Sequence, residues 1–287
     1  MSVSLVAHTN KQDANGPLAR SQRANVVAVT LEHMILRLLT AVTLSVVCLV
    51  PASPAAVAAA ADARVPFQVG ETLTYDVSWS NFLTAGRATL RVADRKPLAA
   101  GRAGYGLQVE AQSVSVAASL YKIYYKIESV LDTASLASIR SSSYSNERGR
   151  EKVKSISFGP NNTLDVELRS GDTTRSKITL PPHTLDMLSA IYVLRALAAK
   201  PGDTLTMPIV DGDKLSRLRL TFGNKEMVKT GLGTLPGWKV TPTVLNDKGQ
   251  TTGGRALTFW LSDDASRKPL RFEAALPIGA VTLTLTK

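Results

Sequence analysis

The chain has 287 residues, 44% of them hydrophobic and 6% aromatic, and a formal net charge of +11. That length suits one large all-β domain or two small ones, with enough apolar content for a core. The positive charge is spread without a block of like charges, and no helix-turn-helix, knuckle or aromatic–basic ribonucleoprotein pattern occurs, which argues against a nucleic-acid partner. A solvated basic surface, or weak peripheral contact with anionic headgroups or envelope polysaccharide, is what such a distribution supports.

Residues 1–33 are polar and aperiodic. Met34 then opens a different stretch, with Arg37 as a positive n-region, Leu38 to Val50 as an apolar core, and Pro51 as its stop. Ala59-Ala60-Ala61 places small residues at the −3 and −1 positions of a cleavage site. Residues 34–61 are therefore expected to be a signal peptide cleaved near Ala61, with Met34 the true start and residues 1–33 not translated. The location expected is periplasmic. The apolar run is short for a membrane span, so a retained anchor is the weaker alternative. The single cysteine, Cys48, lies inside the apolar core behind the bulky Val47, which argues against lipidation. A mature chain would then form no disulfide and would depend on a large core.

From residue 66 to 287 a single β-rich domain is expected. Leu73, Tyr75, Val77 and Trp79 alternate with Thr72, Thr74, Asp76 and Ser78, the pattern of a half-buried strand. Ala85 to Val92 repeats the alternation, with the small Gly86 and Ala88 placed to let a sheet bend or a ligand approach. Similar runs follow through Leu180, joined by turn residues such as Gly149, Gly159-Pro160-Asn161-Asn162 and Gly171-Asp172. Thr184 to Lys200 then reads as an amphipathic helix, bounded by Pro181-Pro182 and Pro201-Gly202. Thr184 is placed to cap it, and Asp186 sets a negative charge near its positive end. Strand patterns resume from Thr204 to Thr286, with a hairpin signal at Asp211-Gly212-Asp213. Roughly a dozen strands with short connections mean antiparallel pairing. The fold class expected is mainly β: a large curved antiparallel sheet or open β-barrel, with one main helix packed on it or closing it.

Catalytic chemistry is hard to build from these residues. Past the leader the chain holds one histidine, His183, and no cysteine. That leaves no multi-ligand zinc site, no Cys–His pair and no G-x-S-x-G elbow. His183 with Asp186 forms an H-x-x-D spacing at the helix start, best explained by a surface or capping histidine. Gly231 to Gly237 contains Pro236 and leads into a strand, so it reads as a turn rather than a nucleotide loop. Asp263-Asp264 fits an Asx-capped turn better than a carboxylate pair set across a cleft. No catalytic residues, metal ligands or cofactors are assigned, and enzymatic activity is not expected.

Three landmarks together carry a resemblance. They are Gly70 to Trp79 with Ala85 to Leu90, then Asp186 to Arg195, then Trp260 to Asp264 with Arg267 and Pro269. In this order they resemble the bacterial envelope family known as domain of unknown function 3108. The resemblance covers most of residues 66–287, and the polar extension before Met34 departs from it. It implies an exported, mostly β protein of undefined activity, from which no catalytic residues carry over. By analogy only, a bent sheet closed by a helix is similar to lipoprotein-carrier folds of the LolA and LolB type, which hold acyl chains in an apolar concavity.

Two classes of function follow. The first is a carrier or binding module for a lipid or other amphipathic envelope molecule. Tyr75, Trp79, Leu188, Ile191, Tyr192 and Trp260 would line its cavity, and Arg195 would meet a headgroup. On the competing view these six are ordinary core, and Arg195 pairs with Asp186 or Asp264 or reaches solvent. The carrier requires a cavity of a few hundred cubic ångströms. The second class is a structural protein that docks an envelope protein partner through a sheet edge or basic face. A hydrolase using Asp186 or Asp264 stands third.

Overall fold

The computed structural model describes residues 65–79, 83–120, 122–246, 249–251, 257–276 and 279–287. The polar extension, the signal segment with Cys48 and the cleavage site at Ala61 lie outside the described residues. The first half of the chain supplies β1 (Thr72–Trp79), β2 (Leu83–Pro97), β3 (Ala103–Ser113) and β4 (Ile123–Asp132). It continues with β5 (Ser138–Glu147), β6 (Arg150–Phe158), β7 (Thr163–Ser170) and β8 (Asp172–Thr179). A short helix α1 (Ser115–Leu120) joins β3 to β4. The two-residue β9 (Leu185–Asp186) runs directly into α2 (Met187–Ala196). Then come β10 (Thr204–Asp211), β11 (Lys214–Thr230) and β12 (Gly233–Leu245). The last three strands are β13 (Leu257–Ser262), β14 (Pro269–Leu276) and β15 (Gly279–Leu285).

All 15 strands form one sheet, in which every chain neighbour from β1 to β8 and from β9 to β15 is also a hydrogen-bonded neighbour. The halves are joined where β1 pairs antiparallel with β15, Tyr75 opposite Leu285. The pairing is antiparallel throughout, except that β9 runs parallel to β10. β8 and β9 are the two edges. The expected mainly β, antiparallel architecture with one main helix is the one observed. Sequence periodicity suggests a break between Phe222 and Lys225, but β11 passes through it with a register shift only.

Curvature follows from what α2 and β9 touch. Asp186 lies at the far edge of the sheet, yet its carboxylate accepts from the Ser129 hydroxyl of β4 at 2.7 Å and the Ser138 hydroxyl of β5 at 2.8 Å. Lys154 of β6 reaches Asp211 at the end of β10, Nζ to Oδ1 2.5 Å. Val210 packs with Ile156, Leu164 and Val166 of β6 and β7. The sheet therefore rolls until its β9–β10 edge abuts β4–β7 by side chains, and among the described residues no backbone ladder closes it. One device that permits the roll is Gly86, opposite Val77: a Cβ there would lie 2.6 Å from the Gln112 carbonyl oxygen. The adjacent register shift at Val77/Ser78 adds local twist.

Two cores lie against the helix. Leu188 and Tyr192 pack with Leu73, Tyr75, Leu90, Tyr105 and Leu107. Ala190 and Leu194 pack with Met207, Ile209, Leu220, Phe222 and Phe259. Each large side chain so buried contributes about 1.5–3 kcal/mol, so α2 is held by its two faces rather than by helix propensity.

Candidate functional site

The helix is shorter than its periodic pattern, and its cap is a different residue. Asp186, not Thr184, is the N-cap: its Oδ1 accepts from the Leu188 and Ser189 amides, both at 3.0 Å. Thr184 instead donates its hydroxyl to the Pro181 carbonyl at 2.7 Å. Asp186 wins because the same carboxylate is held by Ser129 and Ser138, and its own amide donates to Ser138 Oγ at 3.0 Å.

Beside this helix lies an apolar groove of about 510 Å³. Its helix wall is Met187, Ala190, Ile191 and Leu194. The sheet wall comes from β10–β14, where register sets Met207 beside Leu218, Leu218 beside Val244, and Phe259 beside Phe272. Among the described residues its lining is uncharged, with threonines as the polar side chains. Two apolar lining residues face solvent: Met187 is 44% exposed and Val244 36%. Such exposure of large apolar groups next to a concave apolar surface is the ordinary mark of a binding site.

Of the seven residues singled out from sequence, only Ile191 lines this groove. Leu188 and Tyr192 are buried in the neighbouring core. Tyr75 is buried there too and donates its hydroxyl to the Pro269 carbonyl at 2.8 Å. Burial pushes the phenols of Tyr75 and Tyr192 well above their ordinary range, so both stay neutral. Trp79, at the end of β1, is 39% exposed. Trp260 lies between Phe259 and Leu261 in β13, so strand alternation turns it away from the groove.

Arg195 is fully buried, and Glu71 is its partner rather than Asp186 or Asp264. Its guanidinium donates to both Glu71 oxygens, at 2.6 and 2.9 Å, and to the Ser266 and Pro66 carbonyls at 3.0 and 3.3 Å. The Phe67 and Tyr192 rings cover it, with centroids 5.4 and 5.3 Å away. Both terminal nitrogens of this fork are engaged internally, while Nε is buried without a partner. The fork clamps the chain before β1 onto the end of α2, with both Glu71 oxygens taking the place that a headgroup was expected to fill.

The remaining motif residues lie in turns or bends. Asp264 accepts from the Ser266 amide at 2.8 Å and the Arg267 amide at 3.1 Å, capping its own turn. Asp263 accepts from the Trp238 indole at 2.7 Å. His183 sits exposed in the turn before β9 with a positive φ of 60°. Among the described residues no three His, Cys, Asp or Glu side chains gather as a metal site, and no helix is long and apolar enough to cross a membrane.

Trp260 reports on an acid-sensitive contact. Its indole donates to Glu226 at 2.9 Å, and Lys239 donates to the same carboxylate at 3.1 Å. The Trp260 and Lys239 hydrogen bonds hold the Glu226 carboxyl below its usual range. A folded-state value below the unfolded one gives stability that is present above the ordinary carboxylate range and lost as pH falls through the depressed value. Trp260 emission is expected to change in that acid window and to lose the step in Glu226→Gln. An unchanged step in Glu226→Gln would assign it to another group.

The profile of a family described as a protein of unknown function, DUF3108, matches residues 74–286. No curated protein matches the chain. Among solved structures, it is similar to a β-barrel-like protein of domain of unknown function DUF1849 from Brucella abortus. That match has a TM-score of 0.49 at 11% identity and covers 75% of this chain and 95% of the other. A candidate lipoprotein from Parabacteroides distasonis matches with TM-score 0.31 and 12% identity, covering 78% and 97%. A candidate exported protein with a YmcC-like fold from Bacteroides fragilis gives 0.29 and 14%, also covering 78% and 97%.

Proposed function

The chain belongs to the DUF3108 family of proteins of unknown function, and from the groove that its own residues form we propose that it is a non-enzymatic periplasmic protein that binds or carries an apolar or amphipathic envelope molecule. The observation that carries this reading is the 510 Å³ groove between α2 and β10–β14, mostly apolar in its described lining, with apolar side chains exposed along it. The leader pattern in residues 34–61 supports the compartment.

Native mass spectrometry of protein released gently from the periplasm, followed by solvent extraction, tests the reading directly. A reproducible lipid or isoprenoid adduct is expected, and a clean apo mass with no extractable lipid counts against it. Met187→Asp sharpens the test. An acid in the first turn favours the helix dipole, so folding is expected to be preserved, while a charge set into the apolar wall abolishes the adduct.

A second reading rests on β8. Its outer edge is unpaired over the whole strand, and nearly all of its side chains are exposed. An envelope partner could add a strand there, although Arg175 and Lys177 on β8 are the charges that usually blunt such edges. On this reading Ser176→Pro removes partner binding and leaves the groove adduct intact.

A further inference from the structure

The two most exposed large apolar side chains among the described residues share one hairpin. Met227 of β11 is 67% exposed, and Leu232, at the β11–β12 turn, 55%. Register divides that hairpin end into two faces. On one, Val228 and its partner Leu235 pack into the core that also holds Trp260 and Leu270. The other carries Lys225, Met227 and Lys229 opposite Trp238, Pro236 and Thr234. One face therefore fixes the hairpin, while Met227 and Pro236 look into solvent from the other.

The tip is built to hold its leucine outward. The Leu232 amide donates to Thr230 Oγ1 at 3.1 Å, and the Thr230 hydroxyl donates to the Gly233 carbonyl at 2.7 Å. Gly231 donates its amide to the Leu285 carbonyl at 2.8 Å, and a Cβ on it would lie 2.9 Å from Thr286 Cα. A leucine on a turn braced at these points stays displayed instead of folding back onto the core. The free charges around the tip are positive. Lys229 makes no ion pair or side-chain hydrogen bond among the described residues, and neither does Lys287, which follows Thr286. The nearby acids are already taken: Asp263 holds Lys225 at 2.6 Å, and Glu226 holds Lys239 at 3.1 Å. Lys225 also lies over the Trp238 ring, its Nζ 4.7 Å from the centroid.

We infer that this hairpin end docks the protein on an anionic phospholipid bilayer, with Leu232 and Met227 at the boundary of headgroups and acyl chains and Lys229 at the phosphates. Exposed apolar groups beside free lysines favour adsorption to such a surface, through buried area and headgroup attraction together. A protein partner fits less well, because a few apolar side chains fall far short of the roughly 1,000 Å² that a specific protein interface buries. A fluid bilayer requires no such matched surface. The α2 groove shares no lining residue with this hairpin end, so the contact stands apart from the carrier reading.

The test is sedimentation of protein released from the periplasm with vesicles of phosphatidylcholine alone or of phosphatidylcholine mixed with phosphatidylglycerol. Binding to the mixed vesicles is expected to be about tenfold tighter than to phosphatidylcholine alone, and to weaken as salt rises. The double variant Met227→Ser/Leu232→Ser is expected to weaken it at least about tenfold, and Lys229→Gln to reduce the preference for the anionic lipid. Leu168→Ser, which loses an exposed leucine from β7, keeps full binding. All of these positions are exposed, so melting temperature serves as the folding control. Unchanged binding in Met227→Ser/Leu232→Ser overturns the assignment. So does binding that Met187→Asp abolishes and the double variant spares, which would move the contact to the groove. No sedimentation with either vesicle overturns the bilayer as partner. Loss of a co-purified envelope protein in the double variant, with no vesicle binding by the wild type, makes the hairpin a protein-docking site instead.

Discussion

Arg195→Leu is expected to lower folding stability by about 3–5 kcal/mol, read as a fall in the urea midpoint at unchanged slope. The substitution leaves Glu71 as a largely buried carboxylate without its partner, its side chain only 11% exposed. It also strips the Ser266 and Pro66 carbonyls of their donor and removes the cation lying against Phe67 and Tyr192. Replacing both members, Glu71→Leu with Arg195→Leu, is expected to recover part of the loss, because no charge is then stranded. If Arg195→Leu cost less than about 1 kcal/mol, as exposed pairs do, the pair would not be the clamp that its geometry indicates. Ligand binding should survive where the variant still folds, since the guanidinium lies at the other end of α2 from Met187 and outside the groove lining.

Asp186→Ala is expected to cost about 3 kcal/mol or more, summing the loss of a helix cap with the stranding of buried donors. Its carboxylate serves Leu188, Ser189, Ser129 and Ser138 together. Unlike Arg195, it sits where β9 meets the opposite wall, so its loss frees the end of the helix that forms the groove. Binding of a chain-bearing probe should fall along with stability. Asp186→Asn, which keeps one acceptor, should lie between wild type and alanine on both measures. A variant that loses stability but binds normally would separate the capping role from the shaping of the groove.

Much of this architecture is legible in the sequence because strand alternation is a local signal. The β1 pattern, the turns at Gly149 and Gly171 and the existence of α2 all rest on residues within a few positions of one another. What could not be read depends on distant partners. Thr184 and Asp186 are both good caps in isolation, and the choice falls to Asp186 through serines 57 and 48 residues away. The partner of Arg195 is Glu71, 124 residues earlier. The nearer acids are occupied, Asp264 with its own turn and Asp186 at the far end of the helix. Four of the six cavity residues expected from sequence are aromatic, whereas the groove's sheet wall is mostly aliphatic and comes from strands after the helix. In β13 the parity of two adjacent aromatics decided the matter: Phe259 faces the groove, and the larger Trp260 does not. Pairing the alternations of β10 and β11 with the helix stripe would have pointed to Met207, Ile209, Leu218 and Leu220.

The pairing of β1 with β15 bears on the order in which the molecule can assemble. Thr286 donates its hydroxyl to Thr74 across 212 residues of chain. Each remaining strand from β2 to β8, and from β10 to β14, finds its neighbour within one hairpin as the chain emerges. The seam that welds the two meanders must wait for the final strand. Closing so large a loop is entropically slow, so each half is synthesised with an unmated edge. Nascent β1 in particular offers Leu73, Tyr75 and Val77 to any extended segment that arrives before β15. Protection of that edge during biogenesis is thus a demand built into the topology, separate from anything the finished groove does.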